Sequence, residues 1–206
     1  MKQIKDYDKA IEVNPKDGSV WYFKGKALRD LGKYDEAVKA YEKAIIINPQ
    51  DSSAWYKKGN ILSRLGKYDK AIEAYEKAIE TNPQNSKAWA NKGIVLVDLN
   101  KYDEAIKAFD KAIEINSLYF KAWRNKGVTL DRLNKSNEAI AAYDKSIEIN
   151  PHDSNALDGK GDALVKLGKS DEALKAYDKV IEIDPQDSHA WYKKGALSEK
   201  INKSNL

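Results

Sequence analysis

Apolar residues recur along the chain with the spacing of amphipathic helices, and the whole pattern repeats every 34 residues. In residues 52–85 a first apolar face consists of Ala54, Trp55, Ile61, Leu62 and Leu65. Beyond Gly66-Lys67, a second face consists of Tyr68, Ala71, Ile72, Tyr75, Ala78 and Ile79. The pattern predicts two helices per repeat. Because the connection between them is only a few residues long, the two helices must pack antiparallel.

The turns between the helices carry their own signals. An Asn-Pro step or a near variant recurs at 14–15, 48–49, 82–83, 116–117, 150–151 and 184–185. Because the residue before a proline avoids the helical region, this step ends each second helix, and an Asp or Asn shortly after it is a suitable N-cap for the next helix. Between the two helices of a repeat, the residues that suit a left-handed C-cap are Gly32, Gly66, Gly168, Asn100 and Asn134.

Small residues recur where two helix backbones would approach each other. Glycine occupies one position of every first helix, at Gly25, Gly59, Gly93, Gly127, Gly161 and Gly195. Glycine inside a helix costs roughly 0.5–1 kcal/mol relative to alanine. Its recurrence therefore predicts a steric requirement, most simply close packing between helices.

A fixed period of this size is typical of an array of stacked supersecondary units. The predicted boundaries are a half repeat at 1–17 with only a second helix, full repeats at 18–51, 52–85, 86–119, 120–153 and 154–187, and a half repeat or capping first helix at 188–206. We expect residues 1–206 to form a single array, because such arrays grow by stacking and not by enlarging one core.

The repeat resembles the tetratricopeptide repeat (TPR) family. Trp-x-x-x-Gly-x-x-Leu, then Gly-Lys-Tyr-x-x-Ala-x-x-x-Tyr-x-x-Ala, then Asn-Pro, recur in register over essentially the whole chain. The resemblance implies an all-α fold, an α-solenoid in which antiparallel TPR helix pairs form a right-handed superhelix. It also implies a protein–protein interaction scaffold.

One departure from the family pattern is systematic. The family often has Leu just before the first-helix glycine, whereas this chain has Lys24, Lys58, Lys92, Lys126, Lys160 and Lys194. We expect each lysine to lay its aliphatic stem on the seam between helices and to leave its ammonium group in water.

The charge of the chain argues against several classes of partner. Charged residues make up 33% of the sequence, with 36 basic and 32 acidic residues and a net charge of +4. Such a mixed surface is not typical of a nucleic-acid-binding protein.

The longest aliphatic run, Ile45-Ile46-Ile47, is far too short to span a bilayer. We therefore expect neither nucleic acid nor membrane as a partner, and the absence of cysteine suits a cytoplasmic location.

The sequence offers little for catalysis or metal binding. The two histidines, His152 and His189, lie about one repeat apart and have no cysteine nearby, which favours solvated surface positions. Asp-Glu pairs such as Asp35-Glu36 fall in the first turns of second helices, where acids complement the helix dipole. We predict no catalytic residue, no metal site, no cofactor and no enzymatic activity.

The family resemblance implies a peptide-binding groove instead. In TPR proteins the first helices line a concave face that binds extended or helical peptides. Carried onto this sequence, that groove consists of Tyr22, Lys26, Arg29, Tyr56, Asn60, Arg64, Lys87, Asn91, Ile94, Lys121, Arg124 and Arg132. Over the first four repeats the groove is modestly basic, which suits an acidic segment with a few apolar anchors, whereas Asp158 and Asp162 reverse the sign in the fifth.

A more specific resemblance is partial. Some TPR co-chaperones grip a terminal carboxylate with a Lys and an Asn, then an Asn, then a Lys and an Arg on successive repeats. Asn60, Asn91 and Lys121 match three of these places, but Tyr56 and Asn125 depart from the other two. Because Lys and Asn are common in this chain, chance agreement explains the match more simply than a carboxylate clamp.

Two regions leave alternatives open. The terminal half repeats could pair head to tail between molecules, giving a self-assembling or structural array, or the chain could be a piece of a longer protein. The charged residues of 188–206, Lys193, Lys194, Glu199 and Lys200, instead favour a solvated capping helix. At Leu118-Tyr119-Phe120, apolar groups replace a polar turn and would either tuck under the neighbouring helix or form an exposed contact patch.

Overall fold

The computed structural model describes residues 2–204, and within them the fold is entirely helical. The helices are α1 Lys2–Val13, α2 Gly18–Asp30, α3 Tyr34–Ile47, α4 Ser52–Arg64, α5 Tyr68–Thr81, α6 Ser86–Asp98, α7 Tyr102–Ile115, α8 Phe120–Arg132, α9 Ser136–Ile149, α10 Ser154–Lys166, α11 Ser170–Ile183 and α12 Ser188–Ser204. Even-numbered helices are the first helices of the repeats, and odd-numbered helices are the second. The predicted all-α array of helix pairs is confirmed.

Local backbone chemistry explains where the helices end. Gly32, Gly66 and Gly168 have φ of 70–75°, and Asn100 and Asn134 have φ of 59° and 58°. These left-handed residues turn the chain between the two helices of a repeat, as predicted. At the Asn-Pro steps, the Asn or Asp side chain accepts a hydrogen bond from the backbone N–H two residues later, which fixes the turn between repeats.

In the first helices that contain a tryptophan, its side chain stabilises that turn. Its indole N–H donates to the backbone carbonyl six residues earlier, for example from Trp55 to Pro49 at 3.0 Å and from Trp123 to Ser117 at 3.0 Å. The bond to Ser117 shows that the turn keeps its geometry without proline. Leu157 replaces tryptophan in one repeat and cannot make this bond.

The glycine of the first helix packs against an aromatic ring of the following second helix. A Cβ built on Gly59 would lie 2.7 Å from the Tyr75 ring, and one built on Gly161 would lie 2.5 Å from the Tyr177 ring. Both rings are almost fully buried. The predicted steric requirement for glycine is therefore confirmed at these positions.

The lysine before that glycine forms a repeated ion pair. Its ammonium group contacts a carboxylate of the preceding second helix, as in Lys58–Glu42 at 2.9 Å and Lys92–Glu76 at 2.7 Å. We call the six equivalent pairs the lysine seam. The other four are Lys24–Asp8, Lys126–Asp110, Lys160–Asp144 and Lys194–Asp178. The expectation that the ammonium group is left in water was wrong, because an acid lies on the adjacent helix one repeat earlier.

The chain folds as two compact units, one ending at Asn100 and one beginning at Lys101. In the first unit, Leu28, Tyr41 and Ile61 belong to one buried cluster that joins neighbouring helix pairs. In the second unit, a buried cluster that includes Leu164, Tyr177 and Leu197 joins neighbouring helices in the same way. Within each unit the core is thus a series of clusters between neighbouring helices, with no single centre.

The three apolar residues of the turn between α7 and α8 differ in solvent exposure. Leu118 is 72% exposed, whereas Tyr119 and Phe120 are partly buried. Neither alternative from the sequence describes all three residues, because Leu118 points to solvent while its two neighbours are packed.

Candidate functional site

The first helices of the N-terminal unit share a polar face. Asn91 on α6 donates from Nδ2 to Asn60 Oδ1 on α4 at 2.8 Å and to the Tyr56 hydroxyl at 3.3 Å. The Tyr75 hydroxyl also donates to Asn60 Oδ1, at 2.9 Å. Three of the predicted groove residues, Tyr56, Asn60 and Asn91, are thereby brought together. The Asn60 amide nitrogen donates no hydrogen bond within residues 2–204, so it is available to a ligand.

The same face carries cations that no carboxylate neutralises. Lys26, Lys57 and Lys87 form no ion pair with any acid of the described chain, and Lys57 Nζ lies 5.2 Å from the centre of the Tyr56 ring. Partial burial lowers the pKa of Lys57, and the positive charges of Arg29, Lys87 and Lys26 lower it further. The face therefore concentrates positive charge around a partly desolvated lysine.

Arg29 and Tyr22 lie beside this cluster. Arg29 donates to Asp30 from Nε at 3.0 Å and from Nη2 at 2.6 Å, so its charge is partly compensated. Burial raises the pKa of the Tyr22 hydroxyl, and the nearby Asp51 carboxylate raises it further. Tyr22 thus remains a neutral group that can donate or accept a hydrogen bond.

A cleft lies next to Tyr22, between the start of α2 and the start of α4. It has a volume of about 400 Å³, and Phe23, Ser19, Asp51 and Ser53 help to line it. Phe23 is 47% exposed. The cleft can therefore accept an apolar side chain beside the polar face.

In the C-terminal unit, charged side chains of the first helices α10 and α12 form ion pairs with each other. Lys193 on α12 contacts Asp158 at 2.9 Å and Asp162 at 2.7 Å, both on α10. The Tyr177 hydroxyl donates to Asp162 at 2.8 Å. Lys193 therefore links two first helices, and the interpretation of it as a solvated capping residue was wrong.

Arg124 is also engaged within the protein. Its Nη1 donates to Asp153 at 3.0 Å, and the Ser146 hydroxyl donates to the same carboxylate at 2.8 Å. Asp153 is only 4% exposed and makes no capping hydrogen bond to α10. At the same repeat position, Asp51 does cap its helix, because it accepts from the backbone N–H groups of Ser53 and Ala54. Arg124 thus balances a buried charge and is less available to a ligand than Lys26 or Lys87.

The remaining predicted groove residues are solvent-accessible. Arg64 lies 4.9 Å from the centre of the Tyr34 ring, Ile94 is 39% exposed, and Lys121 lies over Phe120. Arg132 is exposed at the end of α8. Lys121, Arg124 and Arg132 belong to the C-terminal unit, and the other nine belong to the N-terminal unit.

Sequence reasoning missed Lys57 as a groove residue. Lys57 occupies the repeat position of Asn91, one period of 34 residues earlier. Because Asn91 was included, translation by one repeat would have identified Lys57. Lys193 occupies the same position three repeats after Asn91 and was missed for the same reason.

Residues 2–204 contain no group of three or more His, Cys, Asp or Glu side chains arranged to hold a metal ion. Over the same residues, no helix has both the length and the apolar character that crossing a membrane requires.

Comparisons with known families agree with the repeat pattern. Models described as tetratricopeptide repeat match residues 56–119 and 91–154, and 6–39 and 142–175. A model described as TPR repeat matches residues 25–66 and 161–201. Together these matches extend from residue 6 to residue 201. A search of curated proteins gives no match.

Solved structures show the same fold. YrrB, described as a TPR protein with an unusual peptide-binding site, is 25% identical with a TM-score of 0.74, and the match covers 92% of this chain and 97% of YrrB. MamA is 28% identical with a TM-score of 0.74, over 80% of this chain and 96% of MamA. PilF of Pseudomonas aeruginosa has a TM-score of 0.79 at 20% identity, over 93% of this chain and 88% of PilF. The 34-residue helix pairs, the family matches and these α-solenoid structures together show that the chain belongs to the tetratricopeptide repeat family.

Proposed function

We propose that the protein is a non-catalytic scaffold that binds a peptide or protein segment on the first-helix face of its N-terminal unit. The observation that carries the proposal is the unused binding capacity of that face. Lys26, Lys57 and Lys87 have no acidic partner in the described chain, and Asn60 has a free amide donor. Side chains of this kind bind the backbone and the acidic groups of a peptide.

The neighbouring cleft supports the same proposal. Its lining by Tyr22 and Phe23 offers apolar contact beside the polar groups. Peptide sites commonly combine apolar pockets with a few placed hydrogen-bonding groups. An acidic segment with an apolar anchor fits this arrangement best. YrrB, a similar protein, is itself described as having a peptide-binding site. A cytoplasmic location is part of the proposal and rests on the absence of cysteine.

Photo-crosslinking tests this proposal directly. A photoreactive amino acid is placed at Tyr56 on the first-helix face, and in a control at Lys39, which is exposed on α3. We expect a protein from the source cells to crosslink at position 56 and not at position 39. The variant Tyr56→Ala with Asn91→Ala should lose the partner, and Lys39→Ala with Lys43→Ala should retain it. Equal crosslinking at both positions would contradict the proposal.

Self-assembly is a second candidate, favoured by the surface of α12. Trp191 and Tyr192 are 51% and 72% exposed, and a Cβ built on Gly195 meets no atom within 4 Å. The equivalent glycines of α4 and α10 are covered by Tyr75 and Tyr177. Tyr7 of α1 occupies the repeat position of Tyr41, so α1 of a second molecule could cover α12. Light scattering should then show that the mean molecular mass decreases as the protein is diluted a hundredfold. A constant monomer mass over that range would exclude this candidate.

A further inference from the structure

Tryptophan at the fourth position of a first helix makes the same two polar contacts in all five repeats that have it. Its indole N–H donates to the backbone carbonyl six residues earlier, at 3.0–3.3 Å. The ammonium group of the lysine three residues later lies 5.2–5.8 Å from the centre of the ring. Trp55 also packs against the buried cluster that contains Ile45. An indole at this position thus occupies a backbone acceptor, lies beside a cation and covers apolar surface.

The fifth full repeat keeps these surroundings but has Leu157 in place of the tryptophan. Within the described chain, no group donates to the carbonyl oxygen of Pro151, which an indole at position 157 would use. Lys160 contacts Asp144 at 2.6 Å, as expected for the lysine seam, but leucine offers it no aromatic ring. Both groups that contact indole in the other repeats are therefore present here without one.

A cavity lies beside Leu157, between the second helices α9 and α11. It has a volume of about 220 Å³, and its apolar lining includes Ile147, Leu157 and Leu164. Lys160 also lines it. We call it the α9–α11 cavity. It combines an apolar floor with the lysine that lies over a tryptophan ring in the other repeats.

The corresponding space between α3 and α5 lies next to a tryptophan, Trp55, and its cavity occupies a different place. That cavity is larger, at about 310 Å³, but Ile45 and Lys77 do not line it. These residues are the repeat equivalents of Ile147 and Lys179, which do line the α9–α11 cavity. The space next to these two positions is therefore accessible where leucine replaces tryptophan.

Two lysines of α11 at the edge of the cavity lack acidic partners. Lys175 and Lys179 lie one helical turn apart, both are exposed, and neither forms an ion pair within residues 2–204. Glu172 also lines the cavity, but the ammonium group of Lys169 lies 3.8 Å from its carboxylate. The edge is therefore positively charged and complementary to a carboxylate.

We infer that the α9–α11 cavity binds the indole ring of a tryptophan from a partner protein, and that an acidic residue next to this tryptophan contacts Lys175 and Lys179. The ring packs on Leu157 beside Lys160, and its N–H donates to the Pro151 carbonyl. The chain provides the template for this ligand, because its own five tryptophans lie in equivalent surroundings.

This site is separate from the first-helix face. Lys160 lies two positions from Asp158 and two from Asp162, which places it about 200° around α10 from either. Neither aspartate lines the cavity, and the rest of its lining comes from second helices. The inference therefore goes beyond the proposed peptide-binding function, and the two sites can be tested independently.

The first experiment needs no partner. Leu157→Trp supplies the indole from within the chain, so we expect its midpoint of chemical unfolding to rise relative to wild type. The reason is that the new ring gains the hydrogen bond to Pro151 and the contact with Lys160. Leu157→Phe is the control, since it adds a ring without an N–H group and should rise less. A midpoint for Leu157→Trp no higher than that of wild type or of the control would contradict the inference.

The second experiment uses a defined peptide. The probe is a short peptide, acetylated and amidated, with one 5-fluorotryptophan followed by two glutamates among serine and glycine residues. Fluorine NMR observes only this ligand, although the protein has five tryptophans. We expect the signal to shift with wild type and not with Leu157→Trp, in which the site is already filled. An unlabelled tryptophan peptide should displace the probe, and one with leucine instead should not. No shift with wild type, or an equal shift with Leu157→Trp, would overturn the inference.

A matched pair of variants tests the acidic neighbour. Lys175→Gln with Lys179→Gln should weaken binding of the probe at least about tenfold at low salt, because the glutamates lose their cations. The control is Lys39→Gln with Lys43→Gln, which changes the same repeat positions of α3 and the same charge, next to Trp21. It should bind like wild type. Equal binding by the two variants would show that the contact with the acidic residue is wrong.

A variant of the first-helix face shows where the probe binds. Tyr56→Ala with Asn91→Ala should bind it like wild type, because neither residue belongs to the α9–α11 cavity. If this variant loses the probe while Leu157→Trp retains it, the peptide binds on the first-helix face and the α9–α11 site is wrong. If the reverse holds, the α9–α11 site stands whatever the result of crosslinking at position 56.

Discussion

At the scale of single residues, the most constrained positions are those where a small side chain meets a large one. Gly161 accepts the Tyr177 ring at a distance that no Cβ tolerates, whereas Gly195 occupies the same repeat position with empty space beside it. The same residue type is therefore required for packing at one site and is unconstrained at the other. This pair separates the steric role of glycine from its intrinsic effect on helix stability.

We predict opposite effects for alanine at these two glycines. Gly161→Ala should destabilise the protein by about 1–3 kcal/mol, because the Tyr177 ring must move. Gly195→Ala should stabilise it by roughly 0.5–1 kcal/mol, because alanine favours the helix. Chemical denaturation of both variants beside wild type measures the difference. If the two variants shift in the same direction, the packing argument is wrong.

Tyr41 and Tyr177 differ in whether their hydroxyl groups form a hydrogen bond. The Tyr41 hydroxyl is buried without a hydrogen-bond partner in the described chain, whereas the Tyr177 hydroxyl donates to Asp162. Tyr41→Phe should be neutral or stabilising, because an unsatisfied polar group is removed. Tyr177→Phe should destabilise by about 1–3 kcal/mol, because a hydrogen bond to a charged group is lost. Unfolding midpoints of the two variants provide the comparison, and a larger loss at Tyr41 than at Tyr177 would refute it.

At the scale of helices, the lysine seam connects each second helix to the next first helix. Lys92 pairs with Glu76 and also lies 5.8 Å from the centre of the Trp89 ring. Its stem thus covers apolar surface while its ammonium group meets a half-exposed carboxylate. Leucine at this position would supply only the first of these interactions. The seam therefore combines packing with a contact that depends on salt.

A double-mutant cycle on Lys92 and Glu76 should separate the two contributions. We expect a coupling energy of about 0.2–1 kcal/mol at low salt, smaller at 1 M salt, because the acid is partly exposed and the pair is screened. Lys92→Ala should destabilise more than Glu76→Gln, because it also uncovers Trp89. Chemical denaturation at the two salt concentrations measures these values. A coupling energy that does not depend on salt would show that the contact is not electrostatic.

At the scale of the whole molecule, one tyrosine in most second helices is shielded from water. Burial is the main reason that the pKa values of Tyr41, Tyr75, Tyr143 and Tyr177 are raised above the ordinary value. The unfolded chain therefore loses these protons at a lower pH than the folded chain does. Stability from this source is fully present below a pH of about 10 and is lost as the pH rises above it.

We predict that the free energy of unfolding falls steeply above a pH of about 10. The double variant Tyr41→Phe with Tyr143→Phe should show a shallower fall, because two of the titrating groups are gone while every lysine remains. Chemical denaturation between neutral pH and pH 12 measures both slopes. Equal slopes for wild type and variant would mean that Tyr41 and Tyr143 do not contribute to the loss.

Much of the fold follows from residues that act locally. Asn48-Pro49 ends a helix through the backbone preference before proline, Asp51 caps the next helix, and Gly66 turns the chain left-handed. Each of these effects depends on a few consecutive residues, so the helix pairs and their boundaries were predictable. The candidate site was less predictable. The groove positions came from the family resemblance, and Lys57 was not among them.

The 34-residue period by itself determined the all-α class, the pairing of helices and the glycine positions, because helix propensity, turn chemistry and apolar spacing are properties of short segments. Only the tertiary structure decided which charges meet. Lys57, Asn91 and Lys193 hold one repeat position, yet cations surround the first, an amide and a hydroxyl group accept from the second, and two carboxylates contact the third. The partners of Asn91 and Lys193 lie 31 and 35 residues away on another helix, and their identity is set by the stacking of repeats. Among residues 2–204, that stacking leaves Lys57 without an acidic partner and pairs Lys193 with two.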